Sequence, residues 1–488
     1  MKPAVLTSPT SADRLPEPAL DTAVLEVLLR EHITRTRPRL ERLWSYYRNP
    51  SIDSTASAGR SRLAQTAGLP PRLSRPIIDP ASGLASSREV VIENDIGWRI
   101  HALADFMFGQ PLVIQSLADQ PDRARQITNF LQQTFQSNGG HDLFHHLALL
   151  GSIYGTLDLL VRPASADTAN SAIQIELVEA PRAVPLLHPG DYRRLDAFIV
   201  HQTQLTPHLD AGPWLSRVLR RPAPATRRRR EQTEVWTAHR YQRYLAYGSA
   251  TTADRELVAD LPNPLGRIPV VHIQNLAQPF AYEGLSDVEP LIPLQDELNT
   301  RLSDRANRVT FQSFKMYLGK GIDGFTDRPV GPGQMWATDN PDAAIHEFGG
   351  DASTPSEDHH IREIREAMDK TSGVSPLAAG VVGGRTGNLS SENAIRIVLL
   401  GLLARIEKKR LTYGRGIQQL CELILHTADL TGQLPNDPDE RRVRLDWPAP
   451  FPDSQTQQLQ NARLKQELGV PRPQILAELG YADCPDHH

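Results

Sequence analysis

The sequence predicts a mixed α+β protein, and three patterns along the chain support that fold class. Apolar residues from Ile96 to Met107 recur at steps of four, three and four, which predicts an amphipathic helix. Apolar and polar residues alternate from Ile173 to Leu177, which predicts a half-buried strand. From Ser391 to Leu430 the apolar residues follow one side of a helix that would be about 60 Å long. Strands therefore belong mainly to residues 20–280, and long helices follow.

Length and composition limit the class of protein. The 488 residues suffice for about three domains, and 40% apolar residues suffice for sizeable cores. Charged residues make up 23%, with a formal net charge of −4. This balance excludes a generally basic nucleic-acid binder and leaves room for one local contact.

Cysteines and the N-terminal segment indicate the compartment. Cys421 and Cys484 form neither a disulfide framework nor a zinc pattern, so a reducing cytoplasm is expected. Residues 1–19 contain prolines but no apolar segment, and we interpret them as a flexible arm rather than a signal or transit peptide. The longest apolar run, Ile397 to Leu403, is far shorter than the roughly 20 residues of a membrane span.

The first region reads as helices followed by strands, with a Ser/Ala/Pro-rich irregular segment from about residue 48 to 90. Asn94 is placed to cap a helix that ends at Gly109. Further helices are predicted over residues 20–47, 124–135 and 141–150, and extended segments over residues 112–115, 195–203, 235–245 and 268–273.

The run Arg227 to Arg230 allows two interpretations. It could be a patch for nucleic acid or for an acidic partner, or a solvated loop between two strands. Because four arginines without interleaved aromatic residues are weak evidence for a nucleic-acid site, the pattern favours the loop.

A polar helix is predicted to start near Ser286 or Asp287. Polar residues surround a narrow apolar stripe on this helix. The stripe consists of Leu294, Leu298, Leu302, Ala306 and Val309. A globular helix usually has a wider stripe, so the pattern favours contact with other helices in an assembly, with an ordinary surface helix as the alternative.

A compact insert and a second polar helix follow. Residues 314–350 contain two strand-like runs, Lys315 to Leu318 and Gln334 to Ala337, and are too few to hold a core of their own. Thr354-Pro355-Ser356-Glu357 then gives a helix start signal, and Gly373 fits the end of that helix. Its apolar face is Ile361, Ile364 and Met368, and the adjacent His359 and His360 point to different sides, which disfavours a shared metal.

Residues 373–390 form a glycine-rich loop. A phosphate-binding loop would need glycine, four residues, then Gly-Lys-Ser or Gly-Lys-Thr, and this spacing is absent. The loop also follows a helix rather than a strand. We therefore interpret it as a mobile loop with one cation, Arg385.

The long helix is predicted as one element from Ser391 to Leu430, with possible kinks at Gly401, Gly414 and Gly416. A basic girdle lies halfway along it and is either a contact surface or a solvated face: Arg405, Lys408, Lys409 and Arg410. A strand near Val443 and two short helices, ending at Gly469 and Gly480, complete the chain.

Three histidines raise the alternative of a metal-dependent hydrolase. His141 and His145 share a helix face, and His146 lies next to them. No HExxH, G-x-S-x-G or paired-carboxylate motif accompanies them, so a capped and packed helix face is the favoured interpretation. A ring scaffold of non-viral origin is a further alternative.

The order of these parts resembles a bacteriophage portal protein, the head-to-tail connector of tailed double-stranded DNA phages. The resemblance covers roughly residues 20–480 and rests on the order of several weak motifs. These are ENDIGWRIHALADFMFGQPLVIQS, HHLALLGSIYGTLDLLVRP, GLSDVEPLIPLQDELNTRLSD and NLSSENAIRIVLLGLLARIEKKRLTYGRGIQQLCELI.

The resemblance implies a ring-forming portal fold with an α/β wing, a two-helix stem, a small clip, a long tunnel helix and a short helical crown. The implied divisions are a flexible arm (1–19), wing (20–283), first stem helix (284–313), clip (314–353), second stem helix (354–373), tunnel loop (374–390), tunnel helix (391–430), wing strand and linker (431–452), and crown with C-terminal tail (453–488).

The resemblance also implies two functional surfaces and no catalytic, metal or cofactor site. The tunnel loop would face DNA through Val381, Val382, Gly383, Gly384, Arg385, Thr386 and Asn388. The clip would dock partners through Lys315, Tyr317, Lys320, Asp323, Phe325, Arg328 and Trp336.

The implied setting is the portal vertex of a virion capsid, after assembly in the host cytoplasm and with no membrane partner. Twelve copies would form a ring around a channel for double-stranded DNA. The implied protein partners are the terminase large subunit, neck or adaptor proteins, and the major capsid and scaffold proteins.

Overall fold

The computed structural model describes residues 20–52, 62–74, 77–78, 85–86, 88–163, 173–209, 225–247, 255–313, 316–320, 341–348, 355–380, 392–449, 455–472 and 475–476. The predicted flexible arm, the run Gln334 to Ala337 and Gly480 lie outside these residues. Within them the chain is a mixed α+β protein, as the sequence predicts.

The helices occupy both ends of the chain and flank the strands. They are α1 (Thr22–Glu31), α2 (Arg37–Arg48), α3 (Pro71–Ser74), α4 (Asp95–Phe108), α5 (Pro121–Ser137), α6 (His141–Tyr154), α7 (Ile292–Ser313), α8 (Pro355–Ser372), α9 (Glu392–Val398), α10 (Leu400–Leu430) and α11 (Gln455–Glu467). None of the helices in the described segments is both long enough and apolar enough to cross a membrane.

The strands form antiparallel pairs throughout. They are β1 (Ser51–Ile52), β2 (Arg62–Leu63), β3 (Ile77–Ile78), β4 (Ala85–Ser86), β5 (Val113–Ser116), β6 (Thr156–Arg162), β7 (Gln174–Val178), β8 (Ala183–His188), β9 (Asp191–Leu209), β10 (Ala225–Trp236), β11 (Arg240–Tyr247), β12 (Glu256–Pro262), β13 (Val270–Gln274), β14 (Met316–Lys320), β15 (Ala344–Phe348) and β16 (Val443–Asp446).

Two sheets organise the first region. A five-stranded sheet has the order β12-β11-β10-β9-β8, and a three-stranded sheet has the order β13-β6-β7. The smaller sheet belongs to the main core, together with α2, α4, α5, α6 and α10. The larger sheet packs Ile199 and Val235 against Leu25 and Leu29 of α1. A third cluster joins the two sheets, because Leu160 and Val178 of the smaller sheet pack with Phe198 and Trp236 of the larger one.

Several predicted elements are confirmed. The side chain of Asn94 accepts a hydrogen bond from the backbone N–H of Gly97 and caps α4. The helix predicted over residues 141–150 continues to Tyr154 and ends at Gly155, whose φ of +83° favours glycine. A side chain there would meet the backbone at residues 284–286, so the end of α6 approaches the start of the next region closely.

Two predictions in the five-stranded sheet are wrong. Residues 235–245 are not one extended segment, because a turn at residues 237–239 separates β10 from β11. The run Arg227 to Arg230 is not a loop, since it lies within β10 and pairs with residues 204–207 of β9. Pairing with the neighbouring strand β9 makes this segment extended, although its polar residues alone suggested a loop.

The predicted single helix over residues 391–430 is divided at Leu399, where φ is −93° and ψ is 8°. Gly414 and Gly416 both lie inside the continuous helix α10, and the kinks at these positions stay a prediction. Gly416 permits close packing: a Cβ there would lie 2.3 Å from Cγ1 of Ile273.

Strand β6 has no strand-like alternation in the sequence. Its residues Thr156 to Val161 are all buried, Asp158 among them, so a run of buried residues follows directly after a helix. Such a run does not distinguish a buried strand from a buried helix by periodicity. Pairing with β13 and β7 on its two sides decides the conformation.

Candidate functional site

Helices α7 and α8 form an antiparallel pair. The last turns of α7 meet the first turns of α8 through Arg305–Asp358 at 2.7 Å and Arg308–Glu357 at 2.6 Å. Strands β14 and β15 connect these two ends as a hairpin, with Met316 opposite Phe348. The 18 residues of α8 span about 27 Å. The hairpin and the glycine-rich segment thus leave opposite ends of the helix pair.

The first helix begins later than predicted. Residues 289–291 form a 3-10 turn, and α7 starts at Ile292 rather than near Ser286. The Ser286 hydroxyl instead accepts hydrogen bonds from the N–H groups of Val288 and Glu289. Pro290 and Pro293 lack the N–H groups that helix interiors use, which fits their place at this entry.

The polar face of α7 binds another segment of the same chain. Residues at four-residue intervals accept hydrogen bonds of 3.0 Å from alternate backbone N–H groups: Gln295 from Asp95, Asn299 from Glu93, Ser303 from Val91 and Asn307 from Glu89. Four helical residues rise about 6 Å, close to the rise of two extended residues. We call this arrangement the polar ladder.

The polar ladder changes the interpretation of the narrow apolar stripe. Gln295, Asn299 and Ser303 are fully buried within the chain. Buried side-chain amides need hydrogen-bond partners, and the extended segment at residues 89–95 supplies them. Part of the unusual polarity of α7 therefore has an intramolecular cause.

A buried ionic cluster joins the entry of α7 to α10. The carboxylate of Asp287 forms ion pairs with Lys409 Nζ at 2.6 Å and with Arg405 Nη2 at 2.5 Å. Lys409 also donates to Ser152 Oγ at 2.7 Å, and Asn275 Nδ2 donates to Asp287 at 2.9 Å. Residues from four distant parts of the chain thus meet at one carboxylate.

Burial and charge act in opposite directions at Asp287. Burial alone would raise the pKa of its carboxyl, but the cations of Lys409 and Arg405 outweigh this and hold the pKa below the ordinary value. The carboxylate therefore stays charged. Two cations around one anion fix the relative position of α10 and the entry to α7.

The cluster corrects the predicted basic girdle, which is not one solvated face. Lys409 is fully buried, and Arg405 binds Asp287. Arg410 lies over the ring of Trp447 and donates to the carbonyl of Pro448 at 2.8 Å. Only Lys408 of the four is exposed.

Helix α8 and α10 cross closely where α8 ends. Gly373 has a φ of +71°, and a Cβ on it would lie 3.3 Å from the carbonyl oxygen of Gly401. The crossing lies two residues after the break at Leu399.

A buried arginine ties the far end of α8 to α4. Arg99 contacts Asp95 at 2.8 Å and Asp369 at 2.5 Å, and its side chain is 1% exposed. Sequence reasoning did not single out this pair, since the two helices are 270 residues apart and neither residue belongs to a local motif.

The structure describes few of the predicted contact residues. Tyr317 and Lys320 lie on β14, and Lys320 is exposed. The remaining predicted clip residues lie outside the described part: Lys315, Asp323, Phe325, Arg328 and Trp336. The predicted tunnel-loop residues Val381, Val382, Gly383, Gly384, Arg385, Thr386 and Asn388 also lie outside it.

The histidines do not form a packed face. His141 and His146 are exposed, whereas Leu143, Phe144 and Leu147 form the buried face of α6. His145 Nε2 lies 3.1 Å from Asp105 Oδ1. Across the described segments, no group of three or more His, Cys, Asp or Glu residues is placed to hold a metal ion.

Comparison with known families identifies the class of protein. A model for phage portal proteins, described as SPP1 Gp6-like, matches residues 28–483. The chain therefore belongs to the SPP1 Gp6-like family of phage portal proteins. Such proteins are structural components of the virion and not enzymes, so the hydrolase and the non-viral scaffold do not apply.

Three solved structures are similar at 13% identity, and each match covers 78% of this chain. They are the neck of an empty GTA particle computed with C6 symmetry (TM-score 0.42, 89% of that chain), the virion of a native gene transfer agent particle (0.40, 88%) and the neck of a native GTA particle computed with C12 symmetry (0.40, 88%). No curated protein matches the chain.

Proposed function

We propose that twelve copies of this chain form a ring at one capsid vertex, around a channel through which double-stranded DNA is packaged and ejected. The family membership over residues 28–483 carries this proposal. The antiparallel pair of α7 and α8 supports it, because it separates a hairpin at one end from a glycine-rich segment at the other. These helices would be the stem, and α9 with α10 the tunnel helix.

The β14–β15 hairpin would be the clip. It would dock the terminase motor during packaging and then neck or adaptor proteins. Lys320 is exposed on this hairpin, and Tyr317 lies on the same strand. The wing would contact the major capsid and scaffold proteins. A short hairpin on two long helices presents a docking surface without disturbing the core.

The segment 374–390 would be the tunnel loop. A channel must let DNA pass without holding it, and each phosphate that a cation neutralises adds salt-dependent affinity. The net charge of the chain is −4, and the loop contributes one cation, Arg385. We propose that Arg385 contacts phosphate transiently while the glycines let the loop yield.

Electron microscopy of the purified chain tests the assembly. We expect a monodisperse ring with a central hole wide enough for duplex DNA. A compact monomer at all protein concentrations would contradict the proposal. A closed ring without a central channel would contradict the proposed passage of DNA but would agree with the proposed ring assembly.

A further inference from the structure

Phe280 lies in the loop that joins strand β13 to the 3-10 turn before helix α7, and we call residues 275–286 the Phe280 loop. Its side chain is 90% exposed, more than any other large apolar side chain in the described part of the chain. Its φ is +62°, and among the described residues the only other positive φ outside glycine belongs to Asn49. Asparagine is common in this left-handed conformation, whereas a bulky residue there is an outlier. An exposed ring on a disfavoured backbone does not stabilise the isolated subunit.

Contacts beside Phe280 fix the backbone in this conformation. The side-chain amide of Gln274 donates to the carbonyl of Ala281 at 2.9 Å and to that of Tyr282 at 3.0 Å. The ring of Tyr282 stacks on the ring of His272, with the two centroids 3.7 Å apart. A disfavoured backbone persists only where its surroundings determine it, and such residues concentrate at functional sites. The loop therefore presents Phe280 in a fixed position, which lowers the entropic cost of a contact.

Helix α10 carries a second exposed apolar feature. Leu400, Ala404 and Leu411 follow one another at four and seven residues, which places them on one helix face over about 16 Å. All three are exposed, Leu411 to 73%, and so is Ile397 of α9. We call these four residues the outer strip. A contiguous apolar patch on the surface marks a site of protein contact.

The Phe280 loop has an excess of negative charge at its edge. Glu283 belongs to the loop and lies 3.1 Å from a guanidinium nitrogen of Arg39. Arg39 is shared with a second carboxylate, that of Glu289, at 3.8 Å. One cation between two exposed carboxylates leaves one negative charge beside the aromatic ring.

The outer strip has an excess of positive charge at its edge. Lys408 and Arg415 are exposed on this side of α10. The neighbouring carboxylate of Glu407 is paired with Arg410 at 3.1 Å. The charges at the edges of the two apolar features are therefore opposite in sign, and such a match selects the correct partner surface.

We propose that Phe280 of one copy packs against the outer strip of the neighbouring copy. This contact rests on the ring assembly proposed above. Head-to-tail contacts close a ring, so each copy offers one neighbour a different surface from the one it offers the other. An aromatic side chain with an acidic edge and an apolar strip with a basic edge meet this requirement. Two loops or two strips would bring like charges together, which disfavours both of those pairings.

The test removes each side of the contact separately. Phe280→Asn deletes the ring and leaves a residue that tolerates a positive φ. Leu400→Gln with Leu411→Gln alters the outer strip and retains good helix formers. Leu117→Asn changes another exposed apolar residue outside the helices and is the control. Self-association of each purified full chain is measured by sedimentation over a range of protein concentrations, and thermal melting is measured in parallel.

We expect Phe280→Asn to raise the concentration needed for assembly by about tenfold to a hundredfold, the effect of leaving one phenylalanine unburied. Below that concentration its melting temperature should equal or exceed that of the parent chain, because the disfavoured backbone is relieved. The control should assemble like the parent chain. Equal assembly of Phe280→Asn and the parent would overturn the proposal, as would an equal loss in Leu117→Asn.

A mixture of the two altered chains tests whether the two features meet. The Phe280→Asn chain keeps its outer strip, and the double glutamine chain keeps Phe280, so one intact contact can form between one copy of each. We expect such mixed pairs, and no larger species, at concentrations where neither chain associates alone. Absence of mixed pairs would overturn the head-to-tail contact.

The same measurements separate this contact from the ring itself. A parent chain that stays monomeric at every concentration would contradict both the ring and the contact. Parent rings that form equally well from the Phe280→Asn chain would contradict the contact alone and leave the proposed ring in place.

Discussion

The ammonium of Lys409 lies 2.6 Å from the carboxylate of Asp287, and both side chains are 1% exposed. The pair links residues 122 positions apart and joins the long helix α10 to the entry of the helix pair α7–α8. In the proposed ring it would connect the part of the subunit that faces DNA with the part that docks partners.

Removal of Lys409 tests how much this link stabilises the fold. Lys409→Met leaves Asp287 buried with Arg405 as its remaining cation, and breaking a buried pair costs about 3–5 kcal/mol. We expect a clearly lower melting temperature. Lys408→Met, at the exposed neighbouring position, is the control and should melt like the parent chain. Equal melting of all three proteins would show that Asp287 does not need Lys409.

The polar ladder predicts a local change in protection from hydrogen exchange. Asn299→Ala removes the acceptor for the partly buried N–H of Glu93, and an unsatisfied buried donor costs at most about 1–3 kcal/mol. Amide exchange in a peptide covering residues 88–95 should become faster. Asn307→Ala, near the exposed end, should affect the same peptide less. Unchanged exchange in the Asn299→Ala variant would mean that the segment is held by other contacts.

Close packing at Gly416 predicts intolerance of one methyl group. Gly416→Ala places Cβ against Ile273, and overpacking costs about 1–3 kcal/mol. Gly414→Ala meets its nearest atoms at 3.8 Å and should be neutral or stabilising. Thermal melting of the two variants and the parent chain measures the difference, and equal effects at both glycines would refute the packing argument.

The buried imidazole of His201 predicts a pH dependence of stability. Burial, and secondly the charge of Arg255, lower the pKa of His201 to about 3 from an ordinary value near 6.5. The unfolded chain therefore takes up a proton below pH 6.5 that the folded chain refuses until about pH 3. Stability from this residue is complete above pH 6.5 and falls by about 1.4 kcal/mol per pH unit as the pH decreases through that window.

Between pH 6 and 4, His201→Asn should reduce the slope of the unfolding free energy against pH. The reduction corresponds to about one proton less taken up on unfolding. His239→Asn, at an exposed position, serves as the control. Urea titrations at a series of pH values measure both. Parallel curves for the His201→Asn variant and the parent chain would show that His201 is not the residue responsible.

Arg385 predicts a dependence of particle assembly on salt. Arg385→Ala removes the one cation of residues 381–390, so contact with passing phosphates should weaken most at low ionic strength. Packaged DNA per particle, and its retention, are measured over a range of salt. Thr386→Ala is the matched control. Normal packaging and retention by the Arg385→Ala variant at every ionic strength would disprove the phosphate contact.

Several elements could be predicted from local signals in the sequence alone. The cap at Asn94 and the start of α8 at Pro355 were predicted because capping chemistry acts over a few residues. The buried side of α10, including Leu402 and Ile417, was predicted because a sustained helical period needs no knowledge of the partner. The order of these elements also carried the resemblance that the family match confirms.

Contacts between distant residues, in contrast, became known only from the packing of the folded chain. The helical period places Lys409 on the apolar side of α10, between Ile406 and Tyr413, but only the folded chain brings Asp287 to its ammonium group. Likewise, the sequence predicts a surface position for Asn299, and only the fold shows that the backbone N–H of Glu93 donates to its side chain. The physical reason is that burial and electrostatic pairing depend on residues more than a hundred positions away, whereas caps and periodicity depend on near neighbours.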